Sequence, residues 1–344
     1  MNRRTATIGL AATALGMASR VNAQAKDKVR FTLTGTSMLY MPIYVADAMG
    51  YFADERITPE ISGFKAGGAA ALAAVIGGNM DIYVGAASSA IRSVQQGADA
   101  VLIAATVTRY SIDIVLRKDI ADQRKITDKS TEIERYKALK GLRIGVSGSG
   151  SGTHQIAQYA LTRAGLNPER DATIVFLGDS ASSLAAFAAK RVDAITGSSP
   201  ASEMAVRDHG GMLLIDGPGN GYSELDGFLY VALISTNKWT KANPELTTRA
   251  VRAFARAHKA MRDPKLTYEA RDKAYAKTFS ESDKTLYDAA WERIVLGVPP
   301  NIAMNDGQIE RVVKFLNEFS SDKYSADPAK VYTNRFVEAA AAVR

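Results

Sequence analysis

The stretch from Ala66 to Ile103 recurs without a gap 112 residues further on, as Gly178 to Ile215. Leu72, Ala73 and Ala74 fall on Leu184, Ala185 and Ala186, Asp81 on Asp193, Gly85 on Gly197, and Leu102 and Ile103 on Leu214 and Ile215. The same offset sets the apolar run at 30–33 against 142–145 and lands Ser37 on Ser149, so a strand heads each copy. Both copies are rich in alanine, and the matched Asp, Gly and apolar positions therefore weigh more than the number of identities. A period above about one hundred residues is not that of a solenoid, whose repeats run to about 20–50 residues. It describes two similar domains, and about 320 residues is a comfortable length for two cores.

The first 23 residues read as an export signal: Arg3 and Arg4 make a short basic start, Ile8 to Met17 an apolar core, and Val21-Asn22-Ala23 a small-residue cleavage site. That core is too short to span a bilayer as a helix, which needs about 20 apolar residues. With no cysteine in the chain there is no disulfide framework, thiolate metal site, thiol nucleophile or lipid-modified cysteine, so a free, soluble periplasmic monomer is expected. The formal charge is +7, of which Arg3, Arg4 and Arg20 supply three. The remaining basic residues are mixed with acids rather than gathered beside aromatics, which argues against nucleic acid as a partner.

Each copy alternates short apolar runs with helical periodicity. The first has strands at 29–34, 57–62, 81–84 and 101–106 and helices from Pro42, Ala69 and Ser89; the second has strands at 142–146, 173–177, 193–196 and 212–215 and helices from Gln155, Leu184 and Ala201. Such alternation predicts an α/β lobe with a mainly parallel sheet, because parallel neighbours need a crossover. Two extended, β-rich passages, 109–116 and 227–235, are the expected chain crossings between lobes. Residues 119–138 read as a charged excursion, and from Pro244 onward apolar stripes through Leu246, Ala250, Phe254 and Ile309, Val312, Leu316 predict helices that complete the first lobe. The domain reading is 24–110 plus 228–344 for lobe 1 and 111–227 for lobe 2, able to close by a hinge movement.

Open parallel sheets bind ligands beyond the carboxy-terminal ends of their strands, where helices present unsatisfied amides. The residues following the strands are small and hydroxyl-bearing: Gly35-Thr36-Ser37 with Met38 and Tyr40, Gly67-Gly68, and Gly85 to Ser89 with Ala87 and Ser88. In the second copy they are Ser147 to Thr153, including Ser149, Gly150, Ser151 and Gly152, then Gly178-Asp179-Ser180, then Gly197-Ser198-Ser199. Glycine admits a ligand close to the main chain, hydroxyls donate, and helix amino termini offer partial positive charge to an anion. Gly and Ser also begin many helices simply as caps, so the set counts for more than any one loop. Arg109, where the chain leaves lobe 1, has the reach to pair with a carboxylate or sulfonate. His154 opens a helix, and Tyr40, Tyr110, Tyr222 and Phe228 are candidates for an aromatic wall, each equally at home in a core.

The enzyme signatures fail on spacing. Gly148, Gly150 and Gly152 follow a strand, but Asp179 stands 27 residues beyond Gly152, where a dinucleotide fold puts its acid about 20 residues on. No Lys follows the glycines as in a phosphate loop, and Ser149 occupies the last glycine position of a serine-hydrolase elbow. The three histidines, His154, His209 and His258, have no ligand spacing, so neither a metal nor a cofactor is expected.

At Pro42 to Phe52, Ala71 to Asp81, Leu139 to Val146 and Tyr332 to Phe336, the chain resembles the substrate-binding proteins of ABC importers in the nitrate, sulfonate and taurine group, relatives of the pyrimidine-precursor binders. The resemblance covers nearly the whole chain after the signal. It implies a type II periplasmic binding protein fold, no catalysis, and a small anion (sulfonate, carboxylate or nitrate) captured between lobes and passed to the transmembrane subunits of an ABC permease. By position it implies ligand contacts from Ser37 to Tyr40, Gly67 and Gly68, Ala87 to Ser89, Ser149 to Thr153, and Ser198 and Ser199. The branch that works as a pyrimidine synthase carries a cysteine-rich motif, which this chain lacks. Two other readings stay open: a receptor that contacts a signalling partner, and an exported hydrolase or transferase using Ser149 and His154.

Overall fold

The computed structural model describes residues 26–64, 67–219, 221–320 and 322–342; the expected export signal lies outside them. The first lobe begins with β1 (Asp27–Leu33), α1 (Met41–Ala48), α2 (Tyr51–Asp54), β2 (Ile57–Gly63), α3 (Gly68–Ile76), β3 (Ile82–Ala86), α4 (Ala87–Gln95) and β4 (Val101–Val107). The second comprises β5 (Asp113–Arg117), α5 (Lys118–Gln123), α6 (Glu132–Lys137), β6 (Arg143–Val146), α7 (Gly152–Arg163), β7 (Thr173–Phe176), α8 (Ser180–Ala188), β8 (Ala194–Gly197), α9 (Ala201–Asp208) and β9 (Gly211–Ile215). The chain then returns through β10 (Val231–Ser235) to α10 (Asn237–Ala242), α11 (Pro244–Arg262), α12 (Thr267–Ala274), α13 (Lys284–Val295), α14 (Asp306–Phe319), α15 (Pro328–Val331) and α16 (Arg335–Ala342).

These strands form two sheets of five, ordered β2-β1-β3-β10-β4 and β7-β6-β8-β5-β9. The two passages read as crossings are largely strands themselves: β10 and β5 each enter as the one antiparallel member, fourth in its sheet. The connections proper are 108–112 and 216–230. Every residue of β3 and β4 is buried, as expected where helices cover both faces of a sheet and the strands become continuous apolar runs. Phe31 of β1 meets Phe52 and Phe254 at ring-centroid distances of 5.3 and 6.0 Å, so α2 and α11 seal one face of the first sheet. The amino-terminal run and the carboxy-terminal helices thereby share one core, and each such buried side chain contributes about 1.5–3 kcal/mol by leaving water. Within the excursion, α6 starts on a capping box: Thr131 Oγ1 accepts from Glu134 N, and the Glu134 carboxylate accepts from Thr131 N.

The internal repeat is real in three dimensions but not gapless. Arg30 N and Nε donate to Asp81 Oδ2 at 2.8 and 3.1 Å, and Nη2 donates to Asp81 Oδ1 and Gly78 O at 2.6 and 3.1 Å. Arg143 does the same in lobe 2, with Asp193 at 2.9, 3.0 and 2.7 Å and Lys190 O at 3.0 Å. Arg30 therefore corresponds to Arg143 rather than to Leu142. The pairings agree: Phe31 stands opposite Ile61 and Ile82, as Ile144 stands opposite Ile174 and Ala194. Residues 64–67 join β2 to α3, whereas 177–179 join β7 to α8. That one-residue difference shifts the first two strands of each lobe by one position relative to the rest, and Ser37 consequently falls nearer Gly150 than Ser149.

Candidate functional site

The carboxy-terminal ends of β1, β3, β6 and β8 face one another across a cavity of about 60 Å³. On that measure one water needs about 10–15 Å³, so the space suits a ligand head group of a few atoms. Lobe 1 contributes Thr34, Gly35, Ser37, Leu39, Tyr40, Gly68, Tyr83, Ala86, Ser89 and, from the start of β10, Val231; Ile112 and Tyr230 come from the connections. Lobe 2 contributes Ser147, Ser151, Gly152, Thr153, Gly178, Asp179, Ser180, Ser183, Ile195, Thr196, Gly197, Ser198 and Ala201.

Local hydrogen bonding fixes these loops. Ser37 caps a 3₁₀ turn at Met38–Tyr40, its Oγ accepting from Leu39 N at 3.1 Å. Ser151 caps α7 by accepting from His154 N at 3.2 Å and donates its own proton to Gly148 O at 2.7 Å. Thr153 Oγ1 accepts from Ser147 N at 2.9 Å, folding the glycine-serine run back on itself. Asp179 caps α8, with Oδ1 accepting from Ser182 N at 2.8 Å. Two glycines are required by contact rather than by turn geometry. A Cβ on Gly152 would stand 2.1 Å from the Tyr230 hydroxyl, and one on Gly68 would stand 2.6 Å from that of Tyr83. The first position of each helix is thus bare so that a tyrosine hydroxyl can lie against it.

The amino termini of α3, α4, α7, α8 and α9 all border this space. The first N–H groups of a helix have no partner inside it and carry partial positive charge, about half an elementary charge per helix. Burial raises the pKa of Tyr40, Tyr83 and Tyr230, keeping all three hydroxyls neutral and able to donate. Tyr40 shares a 2.5 Å hydrogen bond with Thr34 Oγ1. Among the described residues no lysine or arginine lines the cavity. The chemistry on offer is that of oriented dipoles and hydroxyls, which suits an oxyanion.

Direct bonds cross between the lobes at this level. Ser37 Oγ and Ser198 Oγ are 2.6 Å apart, and Met38 N donates to Ser199 O at 3.0 Å. Ser88 Oγ donates to Gln155 Oε1 at 2.8 Å, and Gln155 Nε2 donates to Gly150 O at 2.9 Å. The conformation is a closed one.

Of the residues singled out from the sequence, Ser37, Tyr40, Gly68, Ser89, Ser151, Gly152, Thr153, Asp179, Ser180 and Ser198 line the cavity. Met38 is fully buried in the main core; Gly67 caps α3; Ala87 N is bonded to Tyr230 O. Ser88 belongs to the lobe-to-lobe bond, Ser149 is exposed to solvent, Gly150 N donates to His154 Nδ1 at 3.0 Å, and Ser199 Oγ donates to Glu203 Oε1 at 2.6 Å. Arg109 does not reach the cavity, because its guanidinium donates to Pro218 O at 2.7 Å and so ties one connection to the other. Phe228 and Tyr222 do not line the cavity. With Tyr110 and Phe315 they form an aromatic cluster at the connections, Tyr110 lying 5.3 Å from Phe228 and 5.9 Å from Tyr222. Tyr110 also stacks on Tyr230 at 4.2 Å and donates to Gly152 O at 2.8 Å, coupling both connections to the glycine-serine loop. His154 points the other way, edge-on to Phe176, its pKa lowered by burial and by Arg92. With Ser149 in solvent and His154 Nδ1 occupied by Gly150 N, the two do not form a nucleophile and base.

Ser147, at the head of the glycine-serine run, lines the cavity as well, whereas sequence reasoning missed Tyr83, Tyr230, Thr34, Ser183 and Thr196. Read as a short buried strand at 81–84, the segment gives Tyr83 to the core along with Ile82 and Val84. Its facing glycine is the signal that would have found it.

Residues 26–275 match the NMT1-like family. The chain belongs to this family. No curated protein matches it. Among solved structures, a protein of Bordetella bronchiseptica RB50 superposes with a TM-score of 0.78 at 24% identity, over 92% of this chain and 97% of that one. The alkanesulfonate-binding protein SsuA of Xanthomonas axonopodis pv. citri, bound to MOPS, gives 0.63 at 19% over 83% and 89%. The periplasmic nitrate-binding protein NrtA of Synechocystis PCC 6803 gives 0.67 at 13% over 92% and 88%. The architecture is the two-lobed type II fold of periplasmic binding proteins.

Proposed function

We propose that this NMT1-like protein is the solute-binding component of an ABC importer, closing its lobes on one small anion and delivering it to the membrane permease from the periplasm. The observation that carries this is the meeting of five helix amino termini and a ring of hydroxyls in one enclosed cavity shared by both lobes. Structural neighbours named for alkanesulfonate and nitrate binding support an oxyanion head group, and the class comprises sulfonates, carboxylates and nitrate. Closure follows from contacts that exist only when both halves touch the ligand, since a ligand shifts an equilibrium only by its differential affinity for the two states. Calorimetric titration with methanesulfonate, taurine, acetate, benzoate and nitrate is expected to yield a 1:1 complex with one class. Absence of heat and of any thermal stabilisation across the panel overturns the anion assignment.

A further inference from the structure

Away from the cavity, one arginine is held by three acids contributed from the opposite lobe. Arg293 lies on α13, which belongs to the first lobe: Trp291 Nε1 donates to Thr267 Oγ1 at 3.1 Å and Tyr287 Oη stands 3.9 Å from Met41 Sδ. Its guanidinium reaches into lobe 2. Nη2 donates to Asp113 Oδ1 at 2.7 Å and to Asp216 Oδ1 at 2.6 Å, and Nη1 donates to Glu203 Oε1. Asp113 opens β5 and Asp216 follows β9, so these acids mark the points where both connections enter lobe 2, while Glu203 sits on α9. Asp113 is wholly buried, and its Oδ2, Glu203 Oε2 and Arg293 Nε have no hydrogen-bond partner.

Asp216 is partly open to solvent, whereas Asp113 is wholly buried and Glu203 nearly so, which leaves two carboxylates against one guanidinium, one negative charge in excess, in a place poorly reached by water. Burying unpaired charge is costly, and the cheapest relief is to take up a proton. The groups facing Asp113 are Arg293, Glu203, Asp216 and the buried Ser202 hydroxyl, with Gly217 N donating to its Oδ1 at 3.1 Å and the buried Tyr222 hydroxyl bonded next door to Ile112 O. The cluster is also wired to the cavity. Glu203 accepts from Ser199 Oγ, Ser199 O accepts from Met38 N, and the adjoining Ser198 bonds Ser37 across the cleft.

We propose that Arg293 with Asp113, Glu203 and Asp216 forms a proton-linked lock on lobe closure, regulating the same cavity to which the solute-binding reading applies. Burial, only partly offset by Arg293, lifts the Asp113 carboxyl to about 7 in this closed arrangement. Opening withdraws α13 and admits water, returning the carboxyl toward its ordinary value of 3.8. A group whose pKa is raised in the closed state favours closure while it is protonated. Closing therefore takes up a proton between about pH 4 and about pH 7, and the gain is lost as pH rises through 7, at up to about tenfold in the closed-to-open ratio per pH unit.

The test needs no ligand, so it succeeds or fails independently of the anion assignment. Spin labels on cysteines introduced as Asn79→Cys and Glu169→Cys, both exposed and on opposite lobes, report the interlobe distance of the ligand-free protein from pH 5.5 to pH 8.5. The short-distance population is expected to fall at least tenfold relative to the long one as pH rises. Asp113→Asn, which mimics the protonated acid, is expected to hold the short distance at every pH, and Glu203→Gln to shift the transition to lower pH. A distance distribution independent of pH overturns the lock. So does an unchanged pH dependence in Asp113→Asn or, should that variant not fold, in Glu203→Gln.

Discussion

The two lobes are built on one plan and differ where they meet. Each opens with an arginine that clips the start of its third parallel strand through the same four hydrogen bonds, Arg30 on Asp81 and Arg143 on Asp193. Their mouths are unlike: lobe 1 and the connections add the hydroxyls of Tyr40, Tyr83 and Tyr230 to those of Thr34, Ser37 and Ser89, whereas lobe 2 presents Ser147, Ser151, Thr153, Ser180, Ser183 and Ser198 on short loops, with no tyrosine among its described lining residues. The difference teaches a division of labour. A floor in which stiff aromatic side chains stand among small hydroxyls faces a lid of main-chain dipoles and small hydroxyls. The frame is common to both halves, and the chemistry lies in how they depart from each other.

The largest effect is expected from filling the bare position where floor meets lid. A methyl on Gly152 would lie 2.1 Å from the Tyr230 hydroxyl and 2.9 Å from its ring, so Gly152→Ala should weaken anion binding in calorimetry by at least about a hundredfold, roughly 2.7 kcal/mol. Adding Tyr230→Phe should recover part of that loss. Unaltered affinity in Gly152→Ala would show that the tyrosine floor is not part of the site. Next come the clips: Asp81→Ala and Asp193→Ala should each cost about 2 kcal/mol in urea unfolding, by the loss of bonds to a charged partner. Equal values would mark the shared frame; a clip whose removal leaves the midpoint unchanged would break the equivalence of the lobes. The smallest effect belongs to Ser37→Ala, which deletes the 2.6 Å bond to Ser198 and should lower affinity about fivefold, about 1 kcal/mol. Ser149→Ala, on an exposed residue, should leave binding as it was, and a loss there would put the ligand outside the cavity described.

Much of this frame was legible in the residues. Alternating apolar runs gave the strands within a few positions, and the echo of Asp81 in Asp193 located the second lobe. The gapless offset misplaced the first two strands by one residue, because the alanine-rich helices align well on their own and hide the shorter loop at 177–179. The antiparallel entry of β5 and β10 escaped the reading, since an extended connection and a central strand share the same β-branched composition. Of the site, the glycine and serine loops announced themselves through their position after strands. The aromatics did not, because Tyr110 and Phe228 are as apolar as cavity-lining residues and only packing tells them apart. Arg293 is 90 residues from Glu203 in the chain, and no local pattern brings a helix of one lobe onto the acids of the other.

The placement of β10 between β3 and β4 also bears on how the molecule assembles. Lobe 2 draws its five strands from one unbroken stretch, 113–215, whereas the first sheet has a missing middle until residues 231–235 arrive. During synthesis from the amino terminus, domains tend to fold as they are completed. Here the half encoded second is the first able to finish its sheet, and the half encoded first must wait, its central edges unpaired, until two thirds of the polypeptide has been made.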